Sequence, residues 1–192
     1  MTPADWGNAP EVQIVEAIIS RIKGLAKFKD IRHVPIPPLQ PDKLPALGVY
    51  FMGTEAPARG DADVAPPKFV CDAMFGIMVV YAMEDPVVLN GKVAALMFTI
   101  KNTLLSDATF KALPDVVSGE PFIEAFPRYR QTIAFPKDGE TYYCDARLGL
   151  TVRWNEDYPP STSNILQTVA VTAQPFGEAG TTFENEFSTS GS

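Results

Sequence analysis

His33 is the only histidine of the chain, so any Ser/His/Asp or Cys/His mechanism has to run through it. It stands between Arg32 and a proline-rich stretch with no nucleophile near it in sequence, and only the fold could bring Cys71 or Cys144 close. A small hydrolase or binding domain using His33 with one of these thiols is the enzymatic alternative; a surface or half-buried structural histidine is the simpler reading. Two cysteines and one histidine scattered between positions 33 and 144 lack the ligand spacing of a zinc site. Carboxylates pair in sequence at Asp61 with Asp63, Glu84 with Asp85, Glu156 with Asp157 and Glu184 with Glu186, but in loops or at element ends, where solvation accounts for them. The DADV stretch lacks the remaining ligands of a calcium loop, and phosphate-cradling glycine loops are absent. Phe122, Phe126, Tyr129 and Phe135 with Arg128 and Arg130 could mimic a stacking platform for single strands, but the overall charge is wrong for phosphates, so hairpin packing or subunit contact is the better reading. These patterns predict no enzyme, no cofactor and no metal.

The chain has 192 residues, 46% hydrophobic and 20% charged, which suits one globular domain with a full-sized core plus extended appendages. Net charge is −7, and no window concentrates Lys and Arg as a nucleic-acid grip requires. The cysteines form no CxxC pair, and MTPADWGNAPEV has neither a basic nor an apolar leader region, so a cytosolic protein with free thiols is expected. The longest mainly apolar run, near Met74 to Met83, is too short to span a bilayer, and no membrane segment is expected.

Apolar spacing predicts a helix over 9–26, with Asn8 as cap, Pro10 in the first turn and Val15, Ile18, Ile19, Ile22 and Leu25 on one face. Glu11, Gln13, Glu16, Arg21 and Lys23 take its wet side. A short strand over 31–34 precedes a segment with five prolines in eleven positions (Pro35, Pro37, Pro38, Pro41, Pro45), read as a stiff polyproline-like strap. Strand 46–52 reads as buried on both faces, and 54–67 as a long flexible loop. Residues 68–84 read as a strand that would reach about 50 Å fully extended, longer than the ~40 Å diameter of a globule of this size. Unless Gly76 breaks it with a bulge, one end should protrude. A second helix spans 85–106, with Leu89, Val93, Leu96, Met97, Ile100 and Leu104 as its buried stripe. Runs 121–135 and 140–154, joined by PKDG, predict a long hairpin whose second strand alternates Tyr142, Cys144, Ala146, Leu148, Leu150 and Val152 with a wet set. A last strand-like piece lies at 165–173. The expected core includes Ile18, Ile22, Phe75, Val79, Leu96 and Ile100. The fold class is α+β, a mixed, mainly antiparallel sheet with two amphipathic helices packed on it, over 1–173, followed by an extended tail at 174–192.

In their order, IVEAIISRIKGL, PPLQPDKLPALGVYF, the helix after the long strand with its exit LLSDATFKAL, and the closing LGLTVRWNEDYP resemble the tail terminator (tail completion) proteins of long-tailed bacteriophages. The resemblance covers roughly 12–171, and the chain departs from it in its long 54–67 loop and C-terminal extension. It implies a structural virion protein that forms a homo-oligomeric, hexameric ring on the head-proximal end of the tail tube. Such a ring halts growth of the tube protein and docks the head-tail connector, or neck, while DNA passes without specific binding. A head-to-tail joining component is the neighbouring alternative. The long strand 68–84 and the hairpin offer backbone for strand addition, and the 54–67 loop could be ordered by a neighbour. The interface residues so expected are Pro37, Pro38, Leu39 and Pro41 in the strap, Arg59, Asp61 and Asp63 in the loop, and Lys137, Asp138 and Glu140 at the hairpin tip. The strap either holds one ring surface at fixed geometry or is an ordinary rigid connector.

Overall fold

A computed structural model of the chain describes residues 9–37, 41–60, 66–83, 85–138 and 141–158. The elements are α1 (Pro10–Ile22), β1 (Asp30–Arg32), β2 (Ala46–Glu55), β3 (Lys68–Met83), α2 (Pro86–Ser106), α3 (Ala108–Lys111), β4 (Ile123–Ala134), β5 (Lys137–Asp138) and β6 (Thr141–Asp157). The strands form one mixed sheet in the order β1-β2-β3-β6-β4, antiparallel except for the β1/β2 pair, and β5 carries on along β6 where β4 ends. The predicted fold class is the observed one. The expected strand at 165–173 and the tail lie outside the described residues.

Both long helices pack on one face of the sheet because their apolar stripes match its inward set. From α1, Ile14, Ile18 and Ile22 are wholly buried, and from α2 Leu89, Val93, Met97 and Ile100. They meet Leu47 and Val49 of β2, Phe75, Ile77 and Val79 of β3, and Leu148, Leu150 and Trp154 of β6. The α2 start is well made: Asp85 accepts hydrogen bonds from the backbone N–H groups of Val87 (2.9 Å) and Val88 (3.3 Å), and Pro86 takes the first turn. Three expectations change in detail. Ala9 takes the N-cap position of α1, with no side-chain bond. Gln13, placed on the wet side, is 9% exposed and reaches Asp115 in the loop that folds against α1. Leu96 is half-buried, at the edge of the α2 stripe.

The strap has a topological cause. Parallel strands cannot be joined by a tight turn and need a crossover of about a dozen residues. Here 33–45 joins Arg32 at the end of β1 to Ala46 at the start of β2, and its described parts, 33–37 and 41–45, lie over the face of the sheet opposite the helices. It is not uniformly polyproline: Pro41–Lys43 is a 3-10 turn. Two apolar residues set among the prolines, Ile36 and Leu44, are buried there with Ala46 and Met78 as a second small core. Gly48 lies directly beneath, where a Cβ would stand 2.8 Å from the Val34 carbonyl oxygen and 3.0 Å from Ile36. This is why β2 is buried on both faces only in its first half, while Phe51 and Met52 beyond it are exposed.

β3 runs unbroken through Gly76 in full register with β6, so the break that would have shortened it is absent; register shifts lie instead in β2, between Phe51 and Gly53, where Gly53 has φ 150°, and in β4, between Ile123 and Arg128. Past the start of β2, Tyr81–Met83 continues with only β6 beside it. With β2 and β6 flanking it, β3 offers no free edge along most of its length. The strands lacking a second partner among the described residues are β1 and β4.

Candidate functional site

The residues that could do acid-base or thiol chemistry are kept apart. Cys71 and Cys144 are register partners of Trp154 and Tyr81, ten positions apart on the β3/β6 ladder, or about 33 Å of strand. Both are free and buried under the helices. Burial pushes each thiol up to about 11, with Glu156 adding to the effect at Cys71 and Asp145 at Cys144. Such thiols are poor nucleophiles. His33 stands exposed after β1, its Nδ1 3.3 Å from Glu16 Oε1. Among the described residues no group of three or more His, Cys, Asp or Glu is placed to hold a metal ion. The paired carboxylates have structural work: Asp85 caps α2, Glu156 Oε1 accepts from Trp154 Nε1 at 2.9 Å, and Asp157 lies 3.4 Å from Lys68 Nζ. Glu84, Asp61, Asp63, Glu184 and Glu186 lie outside the described residues.

Nor do the aromatics of 121–135 form a platform. Phe122 packs edge-on to Trp154 and Phe126 stacks on Phe110, so both are spent on the core; Tyr129 and Phe135 remain exposed. Of the expected interface residues, Pro37 and Pro41 are exposed on the strap, and exposed Arg59 donates its backbone N–H to the Lys68 carbonyl at 2.7 Å. The backbones of Lys137 and Asp138 pair with Tyr142 and Thr141. Pro38, Leu39, Asp61, Asp63 and Glu140 lie outside the described residues.

The concave surface of the molecule is the part of the helix-free face that the strap leaves uncovered. One cross-sheet row there reads Tyr50, Gly76, Gly149, Arg130, each the register partner of the next. Two adjacent glycines remove the side chains from the middle of this row. The Tyr50 ring fills half of the gap: a Cβ on Gly76 would stand 2.5 Å from its Cζ. Over Gly149 nothing intrudes, and the nearest atom to a Cβ there would be the Arg130 carbonyl oxygen at 3.8 Å. The result is a groove of about 430 Å³, bordered by Met52, Met74, Arg128, Arg130, Thr132 and Arg147 and continued by a smaller hollow toward Glu55 and Asp72.

Its electrostatics divide the arginines into two kinds. Arg153 makes two hydrogen bonds to its cross-strand partner Asp72 (2.7 and 2.6 Å), and Arg147 makes two to Asp145 (2.9 and 2.6 Å). The Arg153 guanidinium holds the Asp72 carboxyl below its ordinary range. Arg128 donates to the Thr151 hydroxyl at 3.4 Å and adds a small charge effect to that of Arg153 on Asp72, but among the described residues neither Arg128 nor Arg130 forms an ion pair. The sequence singled out these two arginines, but as companions of the aromatics. The signal it held for the groove was a glycine in each of two long strands, next to two arginines spaced two apart.

A second uncovered surface is the outer side of α2. Val87, Val88, Phe98 and Leu105 are exposed there, and Lys101 lays its ammonium over the Phe98 and Tyr129 rings, 5.5 and 5.3 Å from their centroids. Among the described residues the buried stripe of the helix is Leu89, Val93, Met97, Ile100 and Leu104, and these exposed apolar residues stand among Lys92, Lys101 and Asn102 on its other side.

Fold and site together define an α+β protein whose sheet is sheathed by helices on one face and grooved on the other. No protein-family model matches the sequence, and no curated protein matches it. Among solved structures it is similar to a chain of the "Virion of native gene transfer agent (GTA) particle", with 14% identity over 77% of this chain and 98% of that chain and a TM-score of 0.39. At that score and identity the likeness carries no function across.

Proposed function

We propose that the chain is a phage-type structural virion protein, a tail terminator, which works by association and catalyses nothing. Copies of it close a ring at the head-proximal end of the tail tube, stop the tube's growth and offer the head connector a docking face. The resemblance of 12–171 to that family supports this reading, as does the mixed sheet with two helices on one face that the resemblance implies.

The observation that carries it is the presence of two unlike uncovered surfaces on one chain: the grooved sheet face with the β4 edge, and the outer side of α2 with Val87 and Phe98 79% and 59% exposed. A ring is closed by head-to-tail contacts that join two different surfaces of each copy, and exposed apolar patches mark surfaces that partners cover. The buried, protonated thiols lend no support to the hydrolase alternative. Strand addition falls to the edge strands β1 and β4, of which β4 is the longer, because β3 is interior along most of its length.

The test is native mass spectrometry and negative-stain imaging of the purified chain, with and without tail tubes. Rings of the tube's width seated on tube ends are expected. Tubes that reach normal length and accept heads in its absence overturn the proposal, and recovery on heads that lack tubes moves the chain to the neck.

A further inference from the structure

In a chain of net charge −7, two arginines that form no ion pair among the described residues stand on the rim of one groove, only Arg128 sharing the charge of Asp72 at a distance. Arg128 and Arg130 are two apart on β4, so they share a face and stand about 7 Å from each other along the strand. That is also the spacing at which an extended peptide presents side chains i and i+2 on one side, with i+1 on the other. Beside Arg130 in the same row is the open well over Gly149, and beyond Gly76 lies the Tyr50 ring; among the described residues no side chain stands within 4 Å of where a Gly149 Cβ would be. The groove is therefore cationic along its β4 rim, with apolar surface from Tyr50, Met52 and Met74 on the other side of the two glycines.

We propose that this groove receives an extended acidic segment of another polypeptide. Carboxylates at i and i+2 of that segment meet Arg128 and Arg130, and the apolar side chain between them turns to Tyr50 and the well over Gly149. The charge pattern favours a peptide over a nucleic acid. A phosphate tract needs a run of free cations, whereas here Arg147 and Arg153 are already held by Asp145 and Asp72, and Glu55 lies in the continuation of the same groove. Two guanidiniums that form no ion pair among the described residues suit two carboxylates, each able to accept a paired hydrogen bond. The inference holds whether or not the chain closes a ring.

The test is fluorescence polarisation with a labelled peptide of repeating Glu-Leu-Glu, a Lys-Leu-Lys counterpart and a labelled oligo-dT, all titrated with the full chain. The acidic peptide is expected to bind about tenfold or more tighter than either of the others, and more weakly as salt rises. Arg128→Glu with Arg130→Glu should lower its affinity by about tenfold or more while the thermal transition stays in place. Gly149→Val fills the well with a residue that suits a strand and should lower affinity comparably, with the arginines untouched. The proposal is overturned if the acidic peptide does not bind, if the charge-reversed protein binds it equally well, or if oligo-dT is preferred. Undiminished binding by a folded Gly149→Val protein removes the well from the site and overturns it equally.

Discussion

The Tyr50–Gly76 contact sets up a mutational sign reversal. In the wild-type protein a Cβ at Gly76 would lie 2.5 Å from Cζ, 2.7 Å from Cε2 and 2.8 Å from Oη of Tyr50, so the ring must lift from the sheet. Overpacking of this kind costs about 1–3 kcal/mol, and replacing a mid-strand glycine with alanine returns about 0.5–1 kcal/mol of backbone entropy. Gly76→Ala should therefore destabilise by about 1–2 kcal/mol on the same principles. With Tyr50→Ala already in place the clash is gone, and the same substitution should stabilise by about 0.5–1 kcal/mol. The coupling across the cycle is then about 2 kcal/mol. Urea unfolding of the four proteins, followed by tryptophan fluorescence with buried Trp154 as a reporter, measures it, provided the slope with denaturant stays constant. Gly76→Ala that is neutral or stabilising in both backgrounds would show a ring free to swing aside, and would refute the account of how the groove is half filled.

The other predictions rest on separate parts of the molecule. Asp107 caps α3 through the Thr109 amide (2.8 Å) and hydroxyl (2.7 Å) and pairs with Arg21 at 2.7 Å; these bonds, the Thr109 hydroxyl first, lower its carboxyl from 3.8 to about 2. A depressed folded-state pKa contributes stability that is whole above pH 4 and lost toward pH 2, so Asp107→Asn should flatten the acid limb of the stability profile in that window. Phe110, wholly buried, stacked on Phe126 and covered by the Arg21 guanidinium at 5.0 Å, should cost about 3–5 kcal/mol as alanine in a thermal or urea melt. Phe98, 59% exposed, should cost within about 0.5 kcal/mol as alanine in the isolated chain while impairing self-association seen by native mass spectrometry. At pH 8 both cysteines should resist a thiol reagent until urea unfolds the chain; prompt labelling of the native protein would contradict their burial.

How much of this was legible beforehand follows from which forces act locally. The helical stripes of α1 and α2 and the alternation of β6 depend on spacing within one element, and there prediction and structure agree to within a few residues. Pairing partners depend on contacts between distant segments. Nothing in the run 121–135 indicates that β6 inserts itself between it and β3, so of the two elements expected to offer backbone the hairpin has a free edge, on β4, while β3 is flanked along most of its length. Gln13 shows the same limit on one residue: the helical wheel puts it in water, and a loop a hundred positions away covers it. From sequence Gly76 is only a place where the long strand could bulge; the space for a glycine there is set by a tyrosine on the neighbouring strand.

The strap and the groove are two halves of one solution to a sheet whose second face has no helices. The crossover that joins β1 to β2 must pass over one face or the other, and the helices already occupy the first. Passing over the second, it lays Ile36 on Gly48 and buries Leu44 beside Met78, and the prolines around them reduce the entropy lost in holding so short an unsupported segment flat. A segment of thirteen residues has only enough length to roof the β2 end of that face. Beyond it the sheet must supply its own cover, and this one supplies a tyrosine over the first glycine and nothing over the second. The same geometry that explains the prolines therefore leaves, among the described residues, an open well beside Arg128 and Arg130, which is where the proposed acidic segment would lie.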